Sequence, residues 1–256
     1  MRMEDLEKMT TDKKRWYIFE DTSFEGRPRF KWIIDCLLGD IQTFFDGIEN
    51  FIKNKEKSGK RDGGGNLSVP ILISTALEFV AALYTGKTKY QIKKEGEKLN
   101  KYNATDNVRR FIKDFFPKEY KDIPSLLWDG VRNGLVHSFY PKSFSFQRSS
   151  QRSERYIQFQ FYVEDKNISS HFNKDNDTIW ICINVFELYR VVKKAIEDYL
   201  DKLKHDKTLQ DRFIKAWSSV EDYRDKADSN QLDEIEKLKK LLDYLDLNSA
   251  APILRE

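Results

Sequence analysis

The first clear pattern along the chain is helical. Apolar residues recur at intervals of three and four between residues 33 and 54, a spacing that places them along one side of an α-helix. A polar run at 58–66 follows and contains three consecutive glycines. No strand precedes these glycines and no Gly-Lys-Ser/Thr follows them, as a phosphate-binding loop would require. We therefore interpret the run as a flexible connection.

Three further helices are predicted before residue 141. Pro70 opens one at 71–85 that ends before Gly86, because proline is favoured at a helix start and glycine directly after a helix end. This helix is apolar on most sides, but its apolar stretch falls short of the roughly 20 residues that span a bilayer. It is predicted to be the buried central helix. The other two helices are predicted at about 106–116 and 124–139.

After the fourth helix, the period of the pattern changes from helical to two. Alternation of apolar residues over 156–163 and again over 179–185 indicates two strands. Their connection, 164–177, is polar and long but compatible with a hairpin. We therefore expect a two-stranded antiparallel β-hairpin at about 156–185. Helical patterns then resume at about 185–204, 209–225 and 231–245.

These elements predict a mainly α-helical fold: a helical bundle with an inserted β-hairpin and extra C-terminal helices. Three regions are expected along the chain. Residues 1–32 form an N-terminal extension, residues 33–205 form the helical domain that includes the hairpin, and residues 206–256 form a C-terminal helical extension.

Composition narrows the classes of function. Charged residues make up 34% of the chain, yet the net charge is only +3, so a nucleic-acid partner would have to be bound by a local basic patch. Cys36 and Cys182 lie in apolar surroundings and are predicted to be buried thiols, and none of the three histidines shares a helical turn with another histidine or a cysteine. No metal or other cofactor is expected. The N-terminus lacks the apolar core of a secretory signal, so a cytoplasmic protein without a membrane partner is expected.

The fourth predicted helix carries the strongest chemical pattern. On a helical wheel of about 100° per residue, Asp129, Arg132, Asn133 and His137 share one face. The opposite face carries apolar residues that can anchor the helix in a core, namely Leu127, Trp128, Val131, Leu135 and Phe139. The helix is thus predicted to present a guanidinium, an amide and an imidazole together.

These three groups suit the cleavage of RNA. Imidazole transfers protons near neutral pH, and arginine stabilises negative charge on a phosphate oxygen. The ribose 2′-hydroxyl supplies a nucleophile within the substrate, so a proton-transfer group and a charge clamp can suffice without a metal. The spacing of arginine and histidine is weak by itself, because a histidine near a helix end often only stabilises that end.

The segment Arg132-Asn133-Gly134-Leu135-Val136-His137 resembles the Arg-x4-His motif of the HEPN superfamily, in the form where a polar residue follows the arginine. The helices predicted around residues 33, 71, 106 and 124 resemble the HEPN layout, a bundle of about four or five helices. The resemblance spans about 33–204, although its specific part is these six residues. It implies a metal-independent endoribonuclease, active as a homodimer that brings two motifs together, and commonly a toxin or an antiviral defence effector.

One position departs from a branch of this superfamily. In HEPN toxins that are nucleotidylated, a tyrosine stands two residues after the histidine, whereas this chain has Phe139 there and Tyr140 one place later. The departure argues against regulation by tyrosine nucleotidylation.

Other residues near the motif have two interpretations each. Glu78 lies in the most apolar helix; if buried it needs a partner, with Arg132 as the candidate, and otherwise it lies on a solvated edge. Asp129 can orient an imidazole or an arginine across the dimer, or be an ordinary acidic residue of a helix. The segment after the motif can bind RNA through basic residues interleaved with aromatic ones, or be a solvated loop. Its basic residues are Lys142, Arg148, Arg152 and Arg155.

Two rival functions stay open beside the ribonuclease. One is a noncatalytic HEPN module that binds a nucleotide or a partner protein, such as an antitoxin or another defence protein. The other is a purely structural dimerisation protein. A ribonuclease should place two copies of the motif around one cleft, a binding module should have a single enclosed pocket, and a structural protein should bury the motif in salt bridges.

Overall fold

Helices dominate the fold. In a computed structural model, the described residues are 9–23, 25–58, 67–88, 103–135, 141–146, 155–162, 169–222, 234 and 236, with backbone alone at 51–58 and 221–222. Their eight α-helices are α1 (Thr11–Phe19), α2 (Arg29–Ser58), α3 (Ser68–Thr85), α4 (Ala104–Phe115), α5 (Lys118–Lys121), α6 (Pro124–Trp128), α7 (Val185–Leu203) and α8 (Lys207–Asp222). Their four strands are β1 (Phe144–Phe146), β2 (Arg155–Tyr162), β3 (His171–Asp175) and β4 (Thr178–Asn184). Met1–Glu221 and Asp222–Glu256 form two compact units, and the description below concerns the first.

The most apolar helix, α3, lies in the core as predicted. It is long and apolar enough to cross a membrane by length and composition alone, but 56% of it is buried inside the protein. Its buried side faces helices α2, α4 and α7. Gly86 ends the helix in the left-handed conformation, with φ of 71°, and its N–H donates to the Ala82 carbonyl at 3.0 Å. This confirms the predicted helix end, because glycine adopts a positive φ without steric cost.

Aromatic side chains join α2 to the last two helices of this unit. Phe30 of α2 contacts Phe213 of α8 edge to face, with ring centroids 6.4 Å apart, and Phe45 stacks on Tyr189 of α7 at 4.3 Å. The helices predicted at 33–54, 106–116, 185–204 and 209–225 are confirmed with small shifts of their ends. Helix α1 was not predicted. The glycine run at 63–65 and the helix predicted at 231–245 lie outside the described residues, apart from residues 234 and 236.

The predicted antiparallel hairpin is wrong, although its two strands are present. β2 and β4 pair in parallel, with Phe159 opposite Ile181, inside a four-stranded mixed sheet of order β1-β2-β4-β3. The reason lies in the connection, which contains β3. This strand turns at Asn176, with φ of 48°, and forms a hairpin with β4, so β4 runs in the same direction as β2. β1 completes the sheet by antiparallel pairing with β2.

The two cysteines differ in environment. Cys182 is buried in β4, as predicted, and burial raises the pKa of its thiol. Cys36 is exposed, which contradicts the prediction. Its sequence neighbours are apolar, but adjacent residues of a helix point in directions about 100° apart. Ile34 therefore faces the core while Cys36 faces outward.

Candidate functional site

The helix that carries the motif is irregular. It begins at Pro124 as α6, widens into a π turn at Asp129–Asn133, and returns to α-helical geometry at Gly134 and Leu135. Four residues of its predicted apolar face are confirmed as buried, each at most 5% exposed: Leu127, Trp128, Val131 and Leu135. Residues 136–140 lie outside the described part of the chain, so His137 and Phe139 remain predictions from the sequence.

Gly130 brings the π turn into close contact with the sheet. A Cβ atom added at this position would lie 2.6 Å from Cζ and 2.8 Å from Cδ2 of Phe159 on β2, so only glycine fits here without movement of the ring. The Gly130 carbonyl also accepts a hydrogen bond from the backbone N–H of Lys142 at 3.0 Å. The sheet and the segment after the motif thus both contact the helix at Gly130.

Polar side chains of the π turn form a hydrogen-bonded chain with α3. Arg132 donates from Nε and Nη2 to Oε2 of Glu78, at 3.2 and 3.1 Å, and from Nη1 to Oδ1 of Asn133, at 3.2 Å. Asn133 in turn donates from Nδ2 to Oδ1 of Asp129, at 3.2 Å. Of the two interpretations of Glu78, the structure shows the contact with Arg132, and the orientation of the guanidinium is set by partners on two helices.

A second guanidinium extends this chain and was not predicted. Arg109 of α4 donates from Nη2 to Oδ2 of Asp129 at 3.0 Å, and it also pairs with Asp106 at 3.6 Å. Arg109 follows Asp106 by three residues, a spacing that by itself predicts only an ordinary ion pair along one helix. No sequence signal connects residues 109 and 129, because their contact depends on how two helices pack.

The site is partly open and close to neutral in charge. The side chains of Arg132, Glu78, Arg109 and Asp129 are 25%, 28%, 31% and 25% exposed. The two arginines face the carboxylates of Glu78 and Asp129, and Arg109 also faces the exposed Asp106. An incoming phosphate would therefore compete with these carboxylates for the guanidinium groups. The exposure leaves the arginines within reach of a ligand, while their fixed geometry matches the bidentate recognition of phosphate oxygens.

The predicted RNA-binding residues divide into two groups. Lys142 lies beside the π turn, and its Nζ atom is 5.6 Å from the centre of the Phe144 ring on β1. Arg155 opens β2 opposite Phe146 of β1. The structure therefore places part of this segment in the sheet rather than in a solvated loop. Arg148 and Arg152 lie outside the described residues.

Potential ligands for a metal do not cluster in the part of the chain that the structure describes, where no group of three or more His, Cys, Asp or Glu side chains could hold an ion. A scan against models of protein families, a search of curated proteins and a search of solved structures each gave no significant match. The functional interpretation therefore depends on the motif and on the geometry around Arg132.

Proposed function

We propose that this chain is a metal-independent endoribonuclease of the HEPN type, with a centre formed by Arg132, Asn133 and His137. One observation carries the proposal. Arg132 and Asn133 are hydrogen-bonded to each other on the partly open side of a helix whose opposite side is buried, and His137 follows Asn133 by four residues, about one helical turn.

The chemistry needs two proton transfers and a charge clamp. A base removes the proton from the ribose 2′-hydroxyl, the 2′-oxygen forms a bond to phosphorus, and the bond from phosphorus to the 5′-oxygen breaks as an acid protonates that oxygen. The products are a 2′,3′-cyclic phosphate and a 5′-hydroxyl. His137 is the proton-transfer group, and the Arg132 guanidinium stabilises the charge on the nonbridging oxygens.

Asn133 and Glu78 act as positioning residues in this scheme. Asn133 accepts from Arg132 and donates to Asp129, so its amide links two groups of the site rather than performing chemistry. Glu78 accepts two hydrogen bonds from Arg132 and limits its rotation. The π turn that carries both motif residues also supports the proposal, because such turns occur frequently at functional sites.

A homodimer is part of the proposal. One motif supplies one imidazole, whereas strand cleavage gains from a separate acid and base. Two-fold symmetry would supply the second imidazole from the same surface of a second copy. The protein would act in the cytoplasm as a toxin or a defence effector, restrained by an antitoxin or another partner protein.

The test is RNA cleavage by the full chain in the presence of a chelator. Cleavage should persist and leave a 2′,3′-cyclic phosphate. His137→Ala should lower the rate by about 10² to 10⁴, Asn133→Ala should cost less, and Arg132→Lys should be damaging because lysine loses the planar fork. Thermal stability is measured for each variant beside activity.

Two exposed residues supply matched controls. His205→Ala and Arg110→Lys make the same chemical changes away from the motif and should leave cleavage unchanged. A requirement for divalent metal, or a product with a 5′-phosphate, would contradict the mechanism. Wild-type activity in His137→Ala would contradict the catalytic role of that residue.

A noncatalytic HEPN module is the second candidate. The observation that favours it is that Arg132 already donates hydrogen bonds to Glu78 and Asn133 of the same chain. An arginine held in this way can bind a phosphate group without taking part in its cleavage. In that case the wild type should bind RNA or nucleotide without cleaving it. Arg132→Lys should then weaken binding, and His137→Ala should leave it largely intact.

A further inference from the structure

A cavity of about 490 Å³ lies beside α5, β3 and β4, at the starts of α6 and α7. This volume is within the range of about 300–1,000 Å³ that is typical of small-molecule sites. Its walls are mostly apolar and aromatic, with Tyr120, Ile123, Leu127, Phe172, Ile181 and Ile183 among them.

The charged side chains of this cavity are acidic. Glu119 and Glu187 line it together with the ring of His171, and among the residues that the structure describes no lysine or arginine does. Oε2 of Glu187 accepts a hydrogen bond from the backbone N–H of Ser170 at 2.5 Å, which holds this carboxylate in place. Burial, with the nearby carboxylates of Glu187 and Glu119, raises the pKa of Tyr120 to about 12. The phenol therefore remains neutral at ordinary pH.

The cavity is distinct from the proposed catalytic centre. Leu127 reaches it from the buried face of the motif helix, whereas Arg132 and Asn133 lie on the partly open face. The acidic lining also disfavours a polyanion, since RNA phosphates are attracted by lysine and arginine. Its occupant should therefore differ from the substrate of the motif.

We propose that this cavity binds a small organic cation, an ammonium group carried by an aromatic body. Glu119 and Glu187 offer the opposite charge, and charge-assisted hydrogen bonds to carboxylates are stronger than neutral ones. The faces of Tyr120 and Phe172 attract a cation as well as an aromatic ring. The aliphatic walls complete the apolar part of the site.

The experiment compares two probes that share an indole body. Tryptamine carries an ammonium and indole-3-propionate a carboxylate, and each is titrated into the full chain by calorimetry and in a thermal-shift assay. Tryptamine should bind and raise the melting temperature, whereas the anion should not. Glu187→Gln should weaken tryptamine by about tenfold, because it removes the charge while keeping an acceptor for Ser170.

Control variants make the result decisive. Glu197→Gln, at an exposed position of the same helix α7, should bind tryptamine like the wild type. Glu119→Gln, also exposed, should weaken binding without a loss of stability, and it serves as the test if Glu187→Gln does not fold. Absence of tryptamine binding at millimolar concentration, equal binding of the two probes, or unchanged affinity in the glutamine variants would overturn the proposal. The proposed cation site does not include His137, so His137→Ala should bind tryptamine like the wild type. The tryptamine test therefore does not depend on whether the nuclease proposal is correct.

Discussion

Gly130→Ala tests whether contact between the π turn and the sheet holds the motif helix. The added Cβ would lie 2.6 Å from Cζ and 2.8 Å from Cδ2 of Phe159. Both distances are below those of ordinary van der Waals contacts, so the ring or the helix must move. The ring is 7% exposed and packs edge to face on Phe144 at 6.4 Å, which limits its movement.

The expected loss of stability in Gly130→Ala is the balance of two opposing effects. Extra methylenes in a packed core cost about 1–3 kcal/mol, whereas alanine in place of glycine favours a helix by up to about 1 kcal/mol. The free energy of unfolding should therefore fall by about 1–2 kcal/mol. For a chain of this size, the melting temperature should fall by about 2–8 °C.

Calorimetry and urea unfolding measure this loss, with Gly39→Ala as the control. A Cβ at Gly39, in helix α2, meets nothing within 4 Å, so this variant should gain about 0.5–1 kcal/mol. Phe159→Leu should relieve the clash, because leucine lacks the outer ring atoms. The double variant should therefore be more stable than the two separate losses predict. Additive losses, or a Gly130→Ala protein as stable as the wild type, would refute the proposed contact.

Two further predictions concern the start of α7 and the cavity beside it. Asn184→Ala should cost about 1–2 kcal/mol in urea unfolding, because this buried side chain accepts from the N–H groups of Phe186 and Glu187 at 2.9 and 3.1 Å. Asn103→Ala should cost less, because its two side-chain hydrogen bonds with Asp106, one accepted from the backbone N–H at 3.4 Å and one donated to Oδ2 at 2.9 Å, are exposed to solvent. Equal losses would contradict this ranking. Tyr120 has a folded pKa of about 12 against an ordinary 10.0, so its stabilising contribution is complete below pH 10 and is lost as the pH rises towards 12. Tyr120→Phe should therefore lose less stability than the wild type over that interval, and identical pH profiles would contradict the shift.

The helices could be predicted because each signal is local. Apolar residues at intervals of three and four identify the buried side of α2, and Pro70 and Gly86 mark the ends of α3 within two residues. The burial of Leu127, Val131 and Leu135 also follows from spacing alone. These properties depend on the geometry of one helix, which is the same in most proteins.

The arrangement of the strands could not be predicted in the same way. Alternation identifies a strand but contains no information about its partner or direction, so β2 and β4 were found while their parallel pairing was not. β3 is exposed at every position, from His171 to Asp175, and therefore shows no alternation between a buried and an open face. The three residues of β1 are too few to form a pattern.

Contacts between helices also limit how much of the candidate site could be predicted from the sequence. Arg132 could be named as one of two possibilities for Glu78, because a carboxylate buried in an apolar helix needs a partner. Arg109, by contrast, reaches Asp129 through the packing of α4 on the motif helix. The chain from Arg109 through Asp129, Asn133 and Arg132 to Glu78 joins three parts of the bundle. Partly buried ion pairs are weak evidence for stability, because desolvation can offset their attraction and apolar residues can replace them. Precise orientation of Arg132 requires such partners, whereas stability alone does not, and for this reason the network favours a functional role for the residues of the π turn.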